Sequence, residues 1–151
     1  MSRRRRGVAA DMAGIQGVLV VAAVLVAASL LGLFLSRSGR RMRSAKGASP
    51  LDAADLGQAL GERATLLQFS TAFCQPCRAT RQVLAGVAGD VPGVAHVEID
   101  AESRLDLVHR LDVRRTPTVL VLDSAGRVIR RASGQPRTAD VVAALGQAIP
   151  A

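Results

Sequence analysis

From Leu51 onward, apolar and polar positions alternate between a spacing of about 3.6 residues and a spacing of two, the signatures of helix and strand. Asp52 is placed to cap a short helix running through Leu60, with Ala53, Leu56 and Leu60 on one face. Ala64–Phe69 reads as a buried strand, and Pro76–Val87 returns to helical spacing with Val83, Leu84 and Val87 inward. In Val94–Asp100 the period of two puts Ala95, Val97 and Ile99 on one face. Ser103–Leu111 carries a helical stripe of Leu107, Val108 and Leu111 behind a serine cap. Thr118–Leu122 and Val128–Ala132 are short apolar runs joined by Asp123-Ser124-Ala125-Gly126, which predicts a hairpin. Thr138–Ile149 is the last amphipathic helix, with Val141, Val142, Leu145 and Ile149 facing in.

The predicted order is α-β-α-β-α-β-β-α, a βαβ unit followed by a helix, a hairpin and a helix. A crossover helix makes the first two strands parallel, and the hairpin adds antiparallel ones. The expected class is therefore α/β, with a mixed central sheet flanked by helices. About 100 residues suffice for one modest core of this kind.

The first third of the chain has a different pattern. Ala13–Leu35 is a run of 23 residues without a charge. At about 1.5 Å rise per residue it is just long enough, as a helix, to cross a bilayer core of about 30 Å. Four arginines precede it and five basic residues follow within Arg37–Lys46. A cleaved signal peptide has a shorter apolar region and a small-residue cleavage site, which is not evident after Leu35. The expected organisation is a basic tail (1–12), a transmembrane anchor helix (13–35), a basic juxtamembrane linker (36–50) and a folded domain (51–151). The expected location is a cell membrane, crossed once. Basic residues on the two flanks nearly balance, so the side facing the domain stays open, the more so if translation starts at Met12.

Charge and composition narrow the function classes. Nine basic residues against Asp11 alone in 1–46 account for the whole net charge of +8, while 47–151 holds eleven arginines and eleven acids. A neutral domain is a poor fit to a nucleic-acid binder. Three phenylalanines, with no Trp or Tyr, also leave little for base stacking.

The chemistry lies in two cysteines. Cys74-Gln75-Pro76-Cys77 falls between the first strand and the helix after it. The spacing lets two thiols meet at the opening of a helix and close a small ring. The positive end of the helix dipole favours thiolate at Cys74, and Arg78 adds a cation. Pro76 fits the first turn, where its missing N–H costs nothing. Cys74 is thus a candidate attacking thiolate and Cys77 its resolving partner. Forty residues on, Thr116-Pro117-Thr118 puts a proline at the start of a buried strand. A cis Thr116–Pro117 bond in a tight turn would accommodate it and leave the Thr116 backbone free to pair with an extended substrate segment.

Phe69–Cys77 (FSTAFCQPC), Val113–Leu122 (VRRTPTVLVL) and Gly134 before the last helix resemble the thioredoxin superfamily, and more specifically its membrane-anchored bacterial members. The resemblance covers about residues 51–149 and implies the thioredoxin fold. It implies that Cys74 attacks a target disulfide, that Cys77 resolves the mixed disulfide, and that Pro117 shapes the substrate groove with Thr116, Phe73, Gln75 and Pro76. It also implies protein disulfide substrates, an electron-donating reductase as partner and no bound cofactor beyond the cysteine pair. Departures are visible: Phe73 stands where thioredoxins usually carry Trp, and Gln75 follows the first cysteine. Gln68 occupies the place of a buried aspartate that handles the resolving thiol's proton, and His96 that of its companion lysine.

Other readings of the same cysteines are an inert buried pair, a static disulfide, a disulfide-forming oxidase and a two-thiolate copper(I) carrier. Zinc would need two more ligands, and His96 and His109 are not spaced for it. Both histidines read as surface residues, and Arg114 and Arg115 as solvated charge beside the proline turn. Protein disulfide reduction through Cys74 and Cys77 is the function expected.

Overall fold

The computed structural model describes residues 17–33, 42–44 and 49–149. The chain divides into two compact units, Met1–Ser38 and Gly39–Ala151. In the first, residues 17–33 form one unbroken helix, α1, with every side chain exposed; Val18 is 69% exposed and Leu25 62%. No helix among the described residues is long and apolar enough to cross a membrane. Residues 13–16 and 34–35 of the predicted span lie outside the described residues, as do the 1–12 tail and most of the 36–50 linker.

The second unit is built on a five-stranded sheet. Its strands are β1 (Arg43–Ser44), β2 (Ala64–Ser70), β3 (Val94–Asp100), β4 (Thr118–Asp123) and β5 (Val128–Ser133), in the order β1-β5-β4-β2-β3. β2 and β3 are parallel, and every other neighbouring pair is antiparallel. The helices are α2 (Ala53–Leu56), α3 (Gln75–Asp90), α4 (Leu105–Arg110) and α5 (Thr138–Ala148). The expected mixed sheet and hairpin are present. The two-residue β1 comes from the segment read as linker and pairs with Arg130 and Arg131 of β5.

Alternation along the strands builds two apolar layers. Leu67 and Phe69, with Val97, Ile99, Leu120 and Leu122, face Leu56 of α2 and Leu107 of α4. Ala64, Leu66, Val119 and Val121 face Leu84 and Val87 of α3 and Val141, Ala144 and Leu145 of α5. β2 lies between β3 and β4 and is covered on both faces, so all seven of its residues are buried. Gln68 and Ser70 share the parity of Leu66 and stand under α3.

Several boundaries differ from expectation. Asp52 caps α2 through a reciprocal capping box with Asp55, but the helix ends at Leu56, where Gly57 turns left-handed (φ 72°), and not at Leu60. Ser103 is no cap: its hydroxyl donates to the Asp100 carbonyl (3.0 Å), and Arg104 precedes α4. His96 is half-buried on the side of the sheet that α3 covers, and its Nε2 has no partner, which corrects its reading as a surface residue. His109 is exposed, as expected.

Two contacts pin elements that position the later chemistry. The turn after β4 is organised by Asp123, which accepts from the Ala125 and Arg127 backbone N–H groups and from Arg127 Nε. At its tip Gly126 (φ 75°) accepts the Leu51 N–H at 2.9 Å, and a Cβ there would meet the Leu51 carbonyl oxygen at 1.8 Å. On the other side Arg81 of α3 forks onto Glu98 of the edge strand β3, at 2.5 and 2.7 Å, and the Ser70 hydroxyl donates to the same carboxylate at 2.5 Å. Arg81, then burial working the other way, then Ser70 leave the Glu98 carboxyl below its ordinary value.

Gly126→Ala is expected to destabilise the domain by about 2–4 kcal/mol in urea unfolding, since it combines a left-handed φ with a backbone collision. The Glu98 contribution is expected to depend on pH with a definite sign. A depressed folded pKa gives stability that is complete above the ordinary carboxylate value of 4.5 and disappears as pH falls through the lower folded value. Because Arg81 is half exposed, Glu98→Gln should cost only about 0.5–1 kcal/mol at neutral pH. The difference between the two proteins should close below the carboxylate range, as read by unfolding at a series of pH values.

Candidate active site

The fold brings two separated segments to one end of β2: the loop 71–74 with the first turn of α3 that follows it, and the turn before β4. Cys74 is the N-cap residue of α3, with extended backbone, and Pro76 lies in the first turn. The Cys74 N–H donates to the Thr71 carbonyl (3.3 Å), and the Cys77 N–H donates to the Cys74 carbonyl (3.1 Å). Cys74 and Cys77 are joined by a disulfide, their Cα atoms 5.2 Å apart. The pair is asymmetric, since Cys74 is partly exposed while Cys77 is 2% exposed and lies on the inner face of the helix. Only Cys74 is presented to a visiting molecule, and it sits where the free N–H groups of a sixteen-residue helix favour negative charge.

The other predicted residues surround this pair. Phe73 is 97% exposed immediately before Cys74, and Gln75 and Pro76 are exposed on the first turn. The Thr116–Pro117 bond is cis, with Thr116 half-buried and Pro117 buried. A hydrogen bond between the Thr71 and Thr116 hydroxyls (3.3 Å) ties the cysteine loop to the proline turn across 45 residues of sequence. Gly134 (φ 98°) comes close from the end of β5, and its N–H donates to the Pro117 carbonyl at 2.6 Å. Among the described residues nothing pairs with the Thr116 backbone. Arg114 and Arg115 are exposed; the first pairs with Asp112 and the second donates to the Ser133 carbonyl.

Beneath the exposed sulfur is a layer that the sequence reading only partly anticipated. Gln68, wholly buried, donates from Nε2 to the Cys77 carbonyl at 3.0 Å. Thr80, also wholly buried, donates to the Pro76 carbonyl at 2.9 Å and so braces the first turn of α3. An open polar cleft of about 430 Å³ runs beside the disulfide and is lined by both cysteines with Ser70, Arg78, Arg81, Glu98 and Asp100. Burial pushes the His96 imidazole down, against the opposing pull of Glu98. Ser70, Arg81 and Glu98 were not singled out from sequence. Arg81 stands four residues after Cys77, one turn along the same helix face, and that spacing was the available signal. Among the described residues no group of three or more His, Cys, Asp or Glu side chains could hold a metal ion.

Comparison with known proteins agrees with this geometry. The family profile Thioredoxin matches residues 48–147. Thioredoxin H5 of Oryza sativa subsp. japonica is 28% identical over 72 residues, 48% of this chain and 53% of the relative. Thioredoxin H4-1 of the same plant is 31% identical over 81 residues, 53% of this chain and 62% of the relative. The chain thus spans between half and two thirds of the length of these curated relatives. Among solved structures, thioredoxin NaTrxh of Nicotiana alata superposes with a TM-score of 0.53 at 20% identity, over 59% of this chain and 76% of that one. A mutant thioredoxin of Halobacterium salinarum gives 0.54 at 19% identity, over 60% and 78%. At these identities the likeness of structure shows the fold alone. The matched stretch contains the Cys74–Cys77 pair, the Thr116–Pro117 turn and the strands between them, and by that match the chain belongs to the thioredoxin family.

Proposed function

We propose that the chain is a thiol–disulfide oxidoreductase that reduces disulfides in other proteins, held at a cell membrane by the uncharged run 13–35. The observation that carries the redox reading is the asymmetry of the pair: one sulfur is open to a visitor at a helix N-terminus, and the other is sealed behind it. In the dithiol state the Cys74 thiolate attacks a substrate disulfide and forms a mixed disulfide, releasing one substrate thiolate. Cys77 then attacks Cys74 Sγ, frees the second substrate thiol and leaves the intramolecular disulfide found in this structure. Two electrons pass to the substrate in each cycle, so a reductase must return two electrons and two protons to the pair. No bound cofactor enters these steps. The Thr116 backbone and the exposed Phe73 ring offer an extended substrate segment a hydrogen-bonding edge and an apolar contact.

The membrane reading is supported by the 23 uncharged residues between two arginine-rich flanks, and by a helix over 17–33 whose valines and leucines are exposed. An apolar surface of that kind is covered in a bilayer and costly in water.

With dithiothreitol as donor, the full chain should accelerate insulin reduction, and Cys74→Ser should fall to the rate of dithiothreitol alone. Cys77→Ser should accumulate mixed disulfides that reductant releases and that Cys74→Ser does not form. An unaccelerated reaction together with no trapped species would refute the oxidoreductase reading. For the anchor, the full chain should stay with membranes through alkaline carbonate extraction. Leu25→Arg, at a cost of about 2.5–3.5 kcal/mol at the middle of a span, should move a large share of it to the supernatant. A wild-type chain found in the supernatant would refute membrane anchoring and leave the redox reading intact.

A further inference from the structure

Gln68 is buried in the middle of the sheet with only half of its amide satisfied. Nε2 is engaged by the Cys77 carbonyl, whereas Oε1 has no partner. A buried acceptor without a donor is costly, and few persist in folded proteins. The hydroxyls on the same side of the sheet are committed elsewhere, Ser70 to Glu98 and Thr80 to the Pro76 carbonyl. The backbone carbonyl of Cys77 is bonded to the same amide, the residue is 2% exposed, and in the disulfide its sulfur carries no hydrogen. Reduction changes that. When the Cys74–Cys77 bond accepts two electrons and two protons, each sulfur gains a hydrogen and becomes a donor.

We propose that Gln68 Oε1 accepts a hydrogen bond from the Cys77 thiol in the reduced protein, so that this amide biases the cysteine pair toward the dithiol. The inference rests on the thiol–disulfide reading above and deepens it. The bond from Nε2 goes to a backbone carbonyl that exists in both redox states, so it cancels from the equilibrium. The bond to Oε1 forms in one state only and does not cancel. Gln68 is a positioning residue here, acting on the substrate through Cys77. A neutral amide can hold the thiol proton but cannot remove it, so the effect appears as a potential.

The test equilibrates the full chain with mixtures of reduced and oxidised glutathione and reads the dithiol fraction by alkylation. Two glutathione thiols supply the electrons and protons and become glutathione disulfide. Gln68→Met keeps the side-chain length and removes the acceptor. It should shift the equilibrium about three- to tenfold toward the disulfide, about 15–30 mV more negative. Thr80→Val removes a neighbouring buried hydroxyl whose bond is made in both states, and should shift the equilibrium by less than about twofold while lowering the melting temperature. An unchanged potential in Gln68→Met, as expected if a water fills Oε1 in both states, overturns the proposal. So does a shift shared equally with Thr80→Val. A wild-type pair that glutathione never opens overturns the exchange reading as well, an outcome distinct from a pair that equilibrates but ignores Gln68. Should Gln68→Met not fold, infrared spectroscopy of the Cys74→Ser chain decides. A Cys77 S–H band lowered in frequency supports the bond, and one at the position of a free thiol overturns it.

Discussion

Seven consecutive residues without an exposed side chain, Ala64–Ser70, can exist only in a strand with partners on both edges and helices over both faces. That constraint organises the rest of the domain. Every backbone N–H and C=O of β2 has to be paired in the sheet, which fixes its register against β3 and β4 over nearly its whole length. The chain leaves the sheet at Ser70 and begins α3 five residues later, so the place where Cys74 emerges is set by a strand that has no freedom to slide. The cysteine loop inherits its precision from this burial.

The same burial explains the polar layer under the disulfide. A wholly enclosed strand tolerates Gln68 only if the amide finds partners, and its Nε2 donates to the Cys77 carbonyl, whose oxygen carries a second lone pair beyond the one used within the helix. Toward β3 the enclosure opens into the cleft, where Arg81 and Glu98 can reach solvent while satisfying each other. Arg81 is half exposed and Glu98 much less so, an arrangement in which the arginine stem covers apolar surface and its fork neutralises the inner carboxylate. The clamp therefore attaches α3 to the edge strand without burying an unpaired charge.

Much of this was legible in the amino-acid pattern, and the failures have physical causes. β2, β3 and the hairpin are strongly patterned, and the order of elements followed from them. The cysteine pair and the proline turn are chemically conspicuous. A period of two, however, says which residues of β3 share a face and not what covers that face. By that pattern His96 reads as a surface residue, whereas α3 lies over the face it occupies. Leu60 sits at helical spacing from Leu56, yet Gly57 adopts a left-handed conformation that ends α2 first. Ser103 has the chemistry of a cap, but its hydroxyl is taken by the Asp100 carbonyl. β1 pairs through the backbone of two residues in a Ser/Gly/Arg-rich stretch, and a ladder of that length leaves no trace in hydropathy.

Proton movement follows from the same geometry. In the proposed exchange the resolving thiol must give up a proton in a place where the adjacent side chain is an amide. Of the two carboxylates lining the cleft, Glu98 is already engaged by Arg81 and Ser70, and that engagement lowers its basicity. Asp100 is the last residue of β3, opposite Ser70 and exposed, and its Oδ1 accepts the Glu102 N–H. Neither carboxylate is bonded to Cys77 as Gln68 is, through the Cys77 carbonyl. The proton of Cys77 therefore has its outlet through the solvent of the cleft, with the thiol held by a neutral acceptor until it leaves. Such a site separates two roles that one buried carboxylate would combine: Gln68 sets which redox state is favoured, and access of water along Arg81 and Glu98 governs how readily the resolving step proceeds.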